Sequence, residues 1–398
     1  MEKRKTSAKG WAACLAAIFG GIALALLQNK MTPVMDVMIK AFSIDRSTAG
    51  LLSTIFTAMG VVMALPVAGM LKKLGVRKSG FIAFGCGLIG SVLGLTASNV
   101  TVLLISRVIE GTGIGIIGVL TPSVISMWFA PENRGLPMGL WTSWMAVAQT
   151  MLFFTAAPIT DSWGWQGMWV LGIVMSVIAV VLFAIFVKNP PAEENYADVE
   201  ADVSIMSGLA HLPQWICALS VLCFAYCAFT FANWISSFWG ETTTWGLAGA
   251  NMWVGVLFAS EGVFDWVAGF LCDRFHNRKL VGVASFIVYG MLGVIAFTNL
   301  SSSMILVFVV AYSLIEALVP TILWVIAPEC GRSPEYSSVA IGVFSIGLNL
   351  GTLLSAPVSG AIQQQFGWSG VGISFLVAAL VGAVTLQLVK VNAPQSVA

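Results

Sequence analysis

Two ionisable side chains, Arg107 and Glu110, lie inside an apolar stretch of about thirty residues that runs from Ser98 to Trp128. At about 1.5 Å per residue, such a stretch is long enough to cross a bilayer as one helix. A charged side chain facing lipid near mid-depth costs roughly 2.5–3.5 kcal/mol. We therefore expect both groups to turn toward protein or water. Their three-residue spacing places them on one helix face, where they can pair or contact a charged solute.

Other polar residues within apolar runs form two candidate sets. Basic, amide and indole side chains could bind a polar or anionic solute, and carboxyl groups could take up and release a proton. The candidate solute-binding residues are Gln28, Asn29, Lys30, Arg107, Gln149, Asn233, Trp234 and Asn349. The candidate proton-coupling residues are Glu110, Glu261, Asp265 and Glu316. Glu316 lies near the middle of its run, one turn after Tyr312.

Several of these side chains also have a structural alternative. Lys30 could extend its long stem to the outer headgroups. Arg107 could brace the fold by pairing with Glu110, a role that is compatible with solute contact. Asp265 could pair with a basic residue of the next loop, and Trp234 could anchor its helix at the membrane interface. Both readings stay open at the level of sequence.

The chain lacks the patterns typical of enzymes and metal proteins. It contains no Gly-rich phosphate loop, no His cluster with metal-ligand spacing and no nucleophile-base pair. We therefore predict no enzyme activity, no cofactor and no metal. His211 and His276 are predicted at the cytoplasmic side, so a coupled proton must be carried by a carboxyl group.

Composition indicates a polytopic membrane protein. Of the 398 residues, 58% are hydrophobic and 9% charged, and the mean hydropathy is +0.92. A water-soluble fold cannot hide so much apolar surface. The net charge of +1 carries no nucleic-acid signature. Four basic residues precede the first apolar run without a cleavable signal pattern, so we expect a cytoplasmic anchor there.

The apolar runs predict an all-α membrane protein with twelve transmembrane helices. Each run has about twenty residues or more without the alternation of a barrel strand. The predicted spans are 11–38, 48–71, 79–97, 101–129, 137–159, 167–187, 214–238, 247–271, 280–298, 303–327, 338–362 and 369–389. With the N-terminus inside, fifteen of the 19 Lys and Arg fall on the cytoplasmic side and two outside. The positive-inside rule therefore favours cytoplasmic termini.

The two halves of the chain repeat each other at an offset of about 200 residues. We predict two pseudo-symmetric six-helix bundles, 1–187 and 213–398, joined by a cytoplasmic linker, 188–212. Gln149 and Asn349 occupy matching positions, where helix-to-helix hydrogen bonds are an alternative to solute contact. The repeated landmarks are 69–78 with 269–279, Ala130-Pro131-Glu132 with Ala327-Pro328-Glu329, and Trp163-Gly164-Trp165 with Phe366-Gly367-Trp368.

At these landmarks the sequence resembles the major facilitator superfamily over nearly its whole length. The loop after the eighth span is similar to a signature of that family, and the fourth span matches another through Leu103, Arg107, Glu110, Gly111 and Gly113. The resemblance implies a secondary transporter that works by alternating access. It also implies a gating role for Gly269, Asp273, Arg274 and Arg278, and a cavity lined by the first, fourth, seventh and tenth spans.

The fifth span lacks the Gly-Pro-Gly-Gly pattern of the family's drug antiporters, so we expect a proton-coupled importer of a small organic anion, with Lys30 and Arg107 as the positive groups. The alternatives are an exporter or antiporter of a zwitterionic or drug-like solute and, outside the class, a non-transporting sensor on the same fold. The expected partners are the solute, protons and the lipid bilayer of the cytoplasmic (inner) membrane, with the chain as a monomer.

The charge distribution predicts that both termini and the 188–212 linker are cytoplasmic. A cysteine placed at Ala197 should react with a membrane-impermeant maleimide in inside-out vesicles and stay unlabelled in intact cells. The unsubstituted protein reports the background from its own cysteines. Labelling of Ala197→Cys from outside intact cells would show that the orientation is opposite to the predicted one.

Overall fold

The computed structural model describes residues 7–63, 66–130, 133, 135–188, 191, 205–274, 277–298, 304–333 and 336–389. These residues are almost entirely helical and group into two compact units. The first unit comprises residues 1–42 and 55–200, and the second comprises 43–54 and 201–398. The predicted domain boundaries stay predictions.

The first unit contains eight of the helices among the described residues. Its longest members, α5 and α6, pack against each other and carry part of the candidate site. The helices are α1 (Ala8–Asn29), α2 (Met35–Phe42), α4 (Phe56–Met63), α5 (Pro66–Leu95), α6 (Val100–Trp128), α7 (Gly135–Thr142), α8 (Trp144–Trp163) and α9 (Gln166–Phe186).

The second unit contains the remaining seven. Its core is formed by α11 packed along α15, with α13 and α14 beside them. The helices are α3 (Arg46–Thr54), α10 (Ile205–Leu209), α11 (Leu212–Thr242), α12 (Gly246–Arg274), α13 (Arg278–Ala296), α14 (Ile305–Ile326) and α15 (Ser337–Leu388).

Among the described residues, nine helical stretches are long and apolar enough to cross a bilayer, or ten if α3 and α4 form one span with a 40° bend. This agrees with a multi-pass membrane protein, whereas twelve crossings and two six-helix bundles stay predictions. Two features account for the difference between these ten stretches and the twelve predicted spans. The fifth predicted span, mostly α8, is not among the stretches apolar enough, and the last two predicted spans both lie within α15, on either side of an interruption at Gly367.

A glycine-only corner recurs at matching positions of the two halves. Gly164, which ends α8, has φ 63° and ψ −165°. Gly367, which interrupts α15, has φ 68° and ψ −172°. This backbone region is essentially closed to residues that carry a Cβ. The repeat read from Trp163-Gly164-Trp165 and Phe366-Gly367-Trp368 therefore extends to the backbone torsions.

Helix α3 packs on α15 within the second unit. The Ser47 hydroxyl donates to the Pro357 carbonyl at 3.1 Å, and the Thr54 hydroxyl donates to the Leu353 carbonyl at 2.9 Å. Between them, a Cβ on Gly50 would lie 2.4 Å from the Ala356 backbone, so only glycine permits this approach. Small and hydroxyl side chains thus hold α3 close to its neighbour, as in many membrane helix pairs.

The start of α3 is capped and charged. Asp45 accepts a hydrogen bond from the Thr48 backbone N–H at 2.7 Å, as an N-cap does, and this bond lowers the pKa of the carboxyl. Arg46 pairs with Glu241, which also accepts the Trp368 indole N–H at 2.9 Å. The Arg46 guanidinium carbon lies 5.0 Å from the centre of the Trp368 ring.

In the first unit, glycines let the helices around α6 approach closely. A Cβ on Gly111 would lie 2.0 Å from the Phe56 carbonyl oxygen, so α6 and α4 touch through backbone. A Cβ on Gly90 would lie 2.5 Å from the Glu110 side chain. In contrast, a Cβ on Gly118 of the same helix would meet nothing within 4 Å.

Gly111→Ala should lower the thermal stability of the purified protein, because the new methyl group must push α4 away; overpacking of this kind costs about 1–3 kcal/mol. Gly118→Ala is the matched control on α6. It should leave stability unchanged or raise it by up to about 1 kcal/mol, since alanine favours helix over glycine. Melting curves in detergent measure both, and equal melting temperatures for the two variants would contradict the predicted contact.

Candidate functional site

Three charged side chains meet in the interior of the first unit; we call Lys30, Arg107 and Glu110 the ion cluster. The Lys30 ammonium lies 2.5 Å from Oε1 of Glu110, and Arg107 Nη1 lies 2.6 Å from Oε2. All three side chains are at most 1% exposed. Two cations share one carboxylate, so the formal charges of these three side chains sum to +1. Lys30 points inward and does not extend to the surface.

Arg107 also caps the end of α1. Its Nη1 donates to the Leu27 carbonyl and its Nη2 to the Gln28 carbonyl, each at 2.6 Å. Because α1 ends at Asn29, these carbonyls have no partner within the helix. A cation at this position also complements the negative end of the helix dipole. The brace predicted from the Arg107–Glu110 spacing is therefore present, and it extends from α6 to a second helix, α1.

Neighbouring side chains complete the surroundings of the ion cluster. Ser91 of α5 donates to Glu110 Oε1 at 2.7 Å. The Lys30 ammonium lies 4.4 Å from the centre of the Trp169 ring, and the Arg107 guanidinium carbon lies 5.0 Å from that of Phe56. Both distances are within cation–π range. Each charge in the cluster is thus held by a specific partner.

The candidate amide side chains near α1 differ in whether their polar atoms already have hydrogen-bond partners. Asn29 donates to the Ala25 carbonyl at 3.0 Å and lies 3.8 Å from the Met145 sulfur. The side-chain carbonyl oxygens of Gln28 and Gln149 are buried and have no hydrogen-bond partner in the described part of the chain. A buried acceptor without a donor is unfavourable. Gln28 and Gln149 can therefore each accept a hydrogen bond from a bound solute.

A second group of ionisable residues lies in the second unit; we call Glu261, Asp265 and Glu316 the carboxyl cluster. Glu316 of α14 is 3% exposed. Its Oε1 accepts from the Tyr289 hydroxyl at 3.5 Å, and that hydroxyl lies 3.2 Å from the Tyr312 hydroxyl. Its Oε2 is buried without a partner among the described residues.

Glu261 and Asp265 of α12 are close enough to Glu316 to interact with it electrostatically. Oε2 of Glu261 is also buried without a partner in the described part of the chain. None of the ion pairs formed by the described residues includes a member of the carboxyl cluster. The expected pairing of Asp265 with a basic loop residue is therefore not seen among them.

Aromatic rings enclose the Glu316 side of the carboxyl cluster. Phe231 of α11 stacks on Tyr312 with ring centres 4.0 Å apart, and Phe375 of α15 meets Tyr289 edge-on at 4.9 Å. Phe224 also packs on Tyr289, with ring centres 6.0 Å apart. The hydroxyl of Tyr289, which these rings hold in place, is the one that donates to Glu316. The site combines a buried carboxyl group with a short hydroxyl chain.

The remaining candidates of the second unit hydrogen-bond within it. Asn233 donates to the Phe229 carbonyl at 2.6 Å and accepts from Ser53. The Trp234 indole, which is fully buried, donates to the Ala356 carbonyl at 3.3 Å. Asn349 is partly buried and donates to the Ser345 carbonyl at 2.8 Å.

The expected gating loop is only partly described. Arg278 donates from Nε to the Cys272 carbonyl at 3.2 Å, and its Nη1 lies 4.0 Å from Glu329. A Cβ on Gly269 would meet nothing within 4 Å. The side chains of Asp273 and Arg274 lie outside the described residues. The gating role of the loop stays a prediction.

Sequence reasoning missed three residues of these sites: Ser91, Trp169 and Tyr289. Ser91 and Trp169 lie in the third and sixth predicted spans, which carry no charge and were not considered as site elements. Tyr289 lies in the ninth, where a phenol within an apolar run was an available signal. In each case the partner is more than ten residues away, so spacing along one helix could not reveal the contact.

The sequence model of the Major Facilitator Superfamily matches residues 13–333. The chain is 25% identical to the uncharacterized MFS-type transporter YhcA of Bacillus subtilis, covering 51% of this chain and 38% of that protein. It is 28% identical to the multidrug efflux pump SdrM of Staphylococcus aureus, covering 42% of this chain and 38% of that protein. It is 26% identical to the putative glycerol-3-phosphate transporter 5 of Arabidopsis thaliana, covering 64% of this chain and 61% of that protein.

The chain thus spans less than two thirds of the length of these curated relatives. A solved structure extends the likeness in fold. A bacterial homolog of the human lysosomal transporter Spinster, in an inward-facing and occupied conformation, aligns with a TM-score of 0.73 at 16% identity, covering 97% of this chain and 96% of that one. Together with the family match over residues 13–333, this shows that the chain belongs to the major facilitator superfamily.

Proposed function

We propose that this transporter moves a small organic anion by alternating access and couples the movement to protons. The observation that carries the proposal is the charge of the ion cluster, where two buried cations share one carboxylate. A buried excess charge is unfavourable, and an anionic group near Lys30 would balance it. The similarity to a putative glycerol-3-phosphate transporter supports an anionic solute.

Lys30 is the better candidate for the solute contact. Arg107 is occupied by two backbone carbonyls and Glu110, so moving it would uncap α1. Lys30 contacts side chains only, namely Glu110, Ser91 and the Trp169 ring. Its ammonium has three donors on a flexible stem and can exchange partners. Gln28 and Gln149 supply the acceptors for a hydroxyl group on the same solute.

The carboxyl cluster supports proton coupling through Glu316. An ionised carboxylate with one buried oxygen unpartnered and no cation beside it is costly, and protonation removes that cost. The Tyr289–Tyr312 pair provides hydroxyls along which a proton can leave or arrive. Glu261, with its own unpartnered oxygen, is the accessory group. The location that accompanies this proposal is the cytoplasmic membrane, with both termini inside.

Export of a cationic or zwitterionic solute is the second candidate function. The carboxyl cluster has no cation partner among the described residues and is bordered by Phe231 and Tyr312, a setting that also suits an organic ammonium group. The similarity to the multidrug efflux pump SdrM supports the direction of transport, export. The sign of the solute charge separates the two candidates.

Lys30→Gln should weaken the binding of an organic anion by about tenfold to a hundredfold, because a hydrogen bond to a charged group is worth about 1.5–3 kcal/mol. Lys40→Gln removes an exposed cation of the same unit and is the matched control. Thermal-shift titrations with glycerol 3-phosphate and a panel of organic acids and amino acids measure the affinities. Unchanged affinity for every anion that binds, in a Lys30→Gln protein that still melts cooperatively, would remove the anion proposal.

Glu316→Gln should abolish proton-driven accumulation of the solute identified in that screen, while exchange of internal for external solute continues. Glutamine resembles the protonated acid in size and cannot release a proton, whereas exchange requires no proton release. Proteoliposomes with and without an imposed pH gradient measure both processes. Glu261→Gln should show the same defect in weaker form. Continued accumulation by Glu316→Gln under a pH gradient would exclude Glu316 as the coupling group.

A further inference from the structure

A recess at one end of the first unit is lined by two cations. It is shallow and lies among the ends of α6 and α9 and the part of α5 that follows Gly75. Arg77 and Lys188 are the charged lining residues, and Val76, Val124, Met127, Trp128 and Val187 complete it. No carboxylate is among these described lining residues. The recess therefore presents positive charge beside apolar side chains and an indole.

The two cations are available for a ligand. Within the described part of the chain, Arg77 donates one hydrogen bond, to the Ala184 carbonyl at 3.3 Å, and its guanidinium carbon lies 6.0 Å from the centre of the Phe81 ring. A guanidinium has five N–H donors, so most of them are left for other acceptors. Lys188 is exposed and lies just beyond the last residue of α9, Phe186.

An apolar stripe on α9 leads to Lys188. Val174, Ile178, Val181 and Ile185 are each 40–52% exposed, and their spacing of four, three and four residues places them on one helix face. Lys188 lies three residues after Ile185. At 1.5 Å per residue the stripe from Val174 to Ile185 is about 17 Å long. That is enough to follow an acyl chain through one leaflet, whose hydrocarbon is roughly 15 Å deep.

A matching stripe on α5 ends at the same place. Ile82, Ile89 and Val92 are exposed and lie on one face with Lys78, and a Cβ on Gly85 between them would meet nothing within 4 Å. The helices α5 and α9 run antiparallel, since Gly80 faces Phe183 and Gly94 faces Trp169. Both stripes therefore end in lysine at the end of the helix pair that carries the recess.

We propose that Arg77 and Lys188 bind the phosphate of an anionic membrane phospholipid whose acyl chains lie along α5 and α9. Exposed apolar residues alone indicate only contact with the bilayer, whereas a pair of cations at the headgroup level selects negative charge. Arg77 can bind two phosphate oxygens through its planar fork, and Lys188 adds a point charge. Trp128, buried at the end of α6, is part of the lining. The site is independent of the solute and proton sites.

The test uses the full-length protein purified in a neutral detergent, with phosphatidylglycerol, phosphatidylcholine and inorganic phosphate as probes. Phosphatidylglycerol should raise the melting temperature more than phosphatidylcholine does. In Arg77→Gln/Lys188→Gln the half-saturating amount of phosphatidylglycerol should rise at least tenfold. Lys188→Gln alone leaves the Arg77–Ala184 hydrogen bond intact and should give a smaller loss of the same kind, which separates lost binding from lost folding.

Lys9→Gln/Lys73→Gln is the matched control, because it also removes two exposed cations of the first unit but leaves the recess unchanged. It should bind phosphatidylglycerol as the unsubstituted protein does. An equal loss in both double variants would mean that only the overall charge attracts the lipid, and would overturn the site. Equal stabilisation by phosphatidylcholine, or by inorganic phosphate alone, would overturn it as well.

Discussion

Pairing of the charges at the end of α1 is the constraint on which the first unit depends. Arg107 reaches the last carbonyls of α1 only if α6 lies directly beside that helix end, and Glu110 must then accept from both Arg107 and Lys30. Removing one partner of a buried pair costs about 3–5 kcal/mol, because the other charge is left uncompensated. The positions of α1 and α6 are thereby tied to each other.

The glycines of the first unit follow from this constraint. Glu110 occupies the space that a side chain at Gly90 would fill, and α4 meets α6 through backbone at Gly111. Burying three charges requires partners from α1, α5 and α6 within a few ångströms, and only small residues allow such an approach. Close packing and charge pairing in this unit are two aspects of one arrangement.

The buried carboxyl groups of the second unit are less completely partnered than the charges of the first unit. Its carboxyl groups meet phenol hydroxyls and aromatic rings, and two of their oxygens have no partner in the described part of the chain. In the ion cluster every charge is held by ion pairs and hydrogen bonds, whereas an under-partnered carboxyl group can gain a proton at little structural expense. The first arrangement suits a fixed electrostatic field and the second suits a group that titrates.

The sequence was sufficient to predict features that depend on local spacing. The helical runs and the Arg107–Glu110 pair each arise within a few residues of chain, and the repeat marked Gly164 and Gly367 as equivalent positions without predicting their torsions. Contacts across long separations could not be predicted, since Lys30 and Glu110 are 80 residues apart and Tyr289 and Glu316 are 27 apart. The grouping of residues 43–54 with the second unit depends on tertiary packing in the same way.

The paired glycine corners bear on how the two halves of this chain should be aligned. Gly164 and Gly367 keep nearly the same torsions, although Trp163 corresponds to Phe366 and most flanking residues differ. A conformation closed to residues that carry a Cβ confines both positions to glycine, whatever the neighbouring side chains are. Alignments of the two halves should therefore be anchored at these glycines rather than at the charged residues, which differ between the halves.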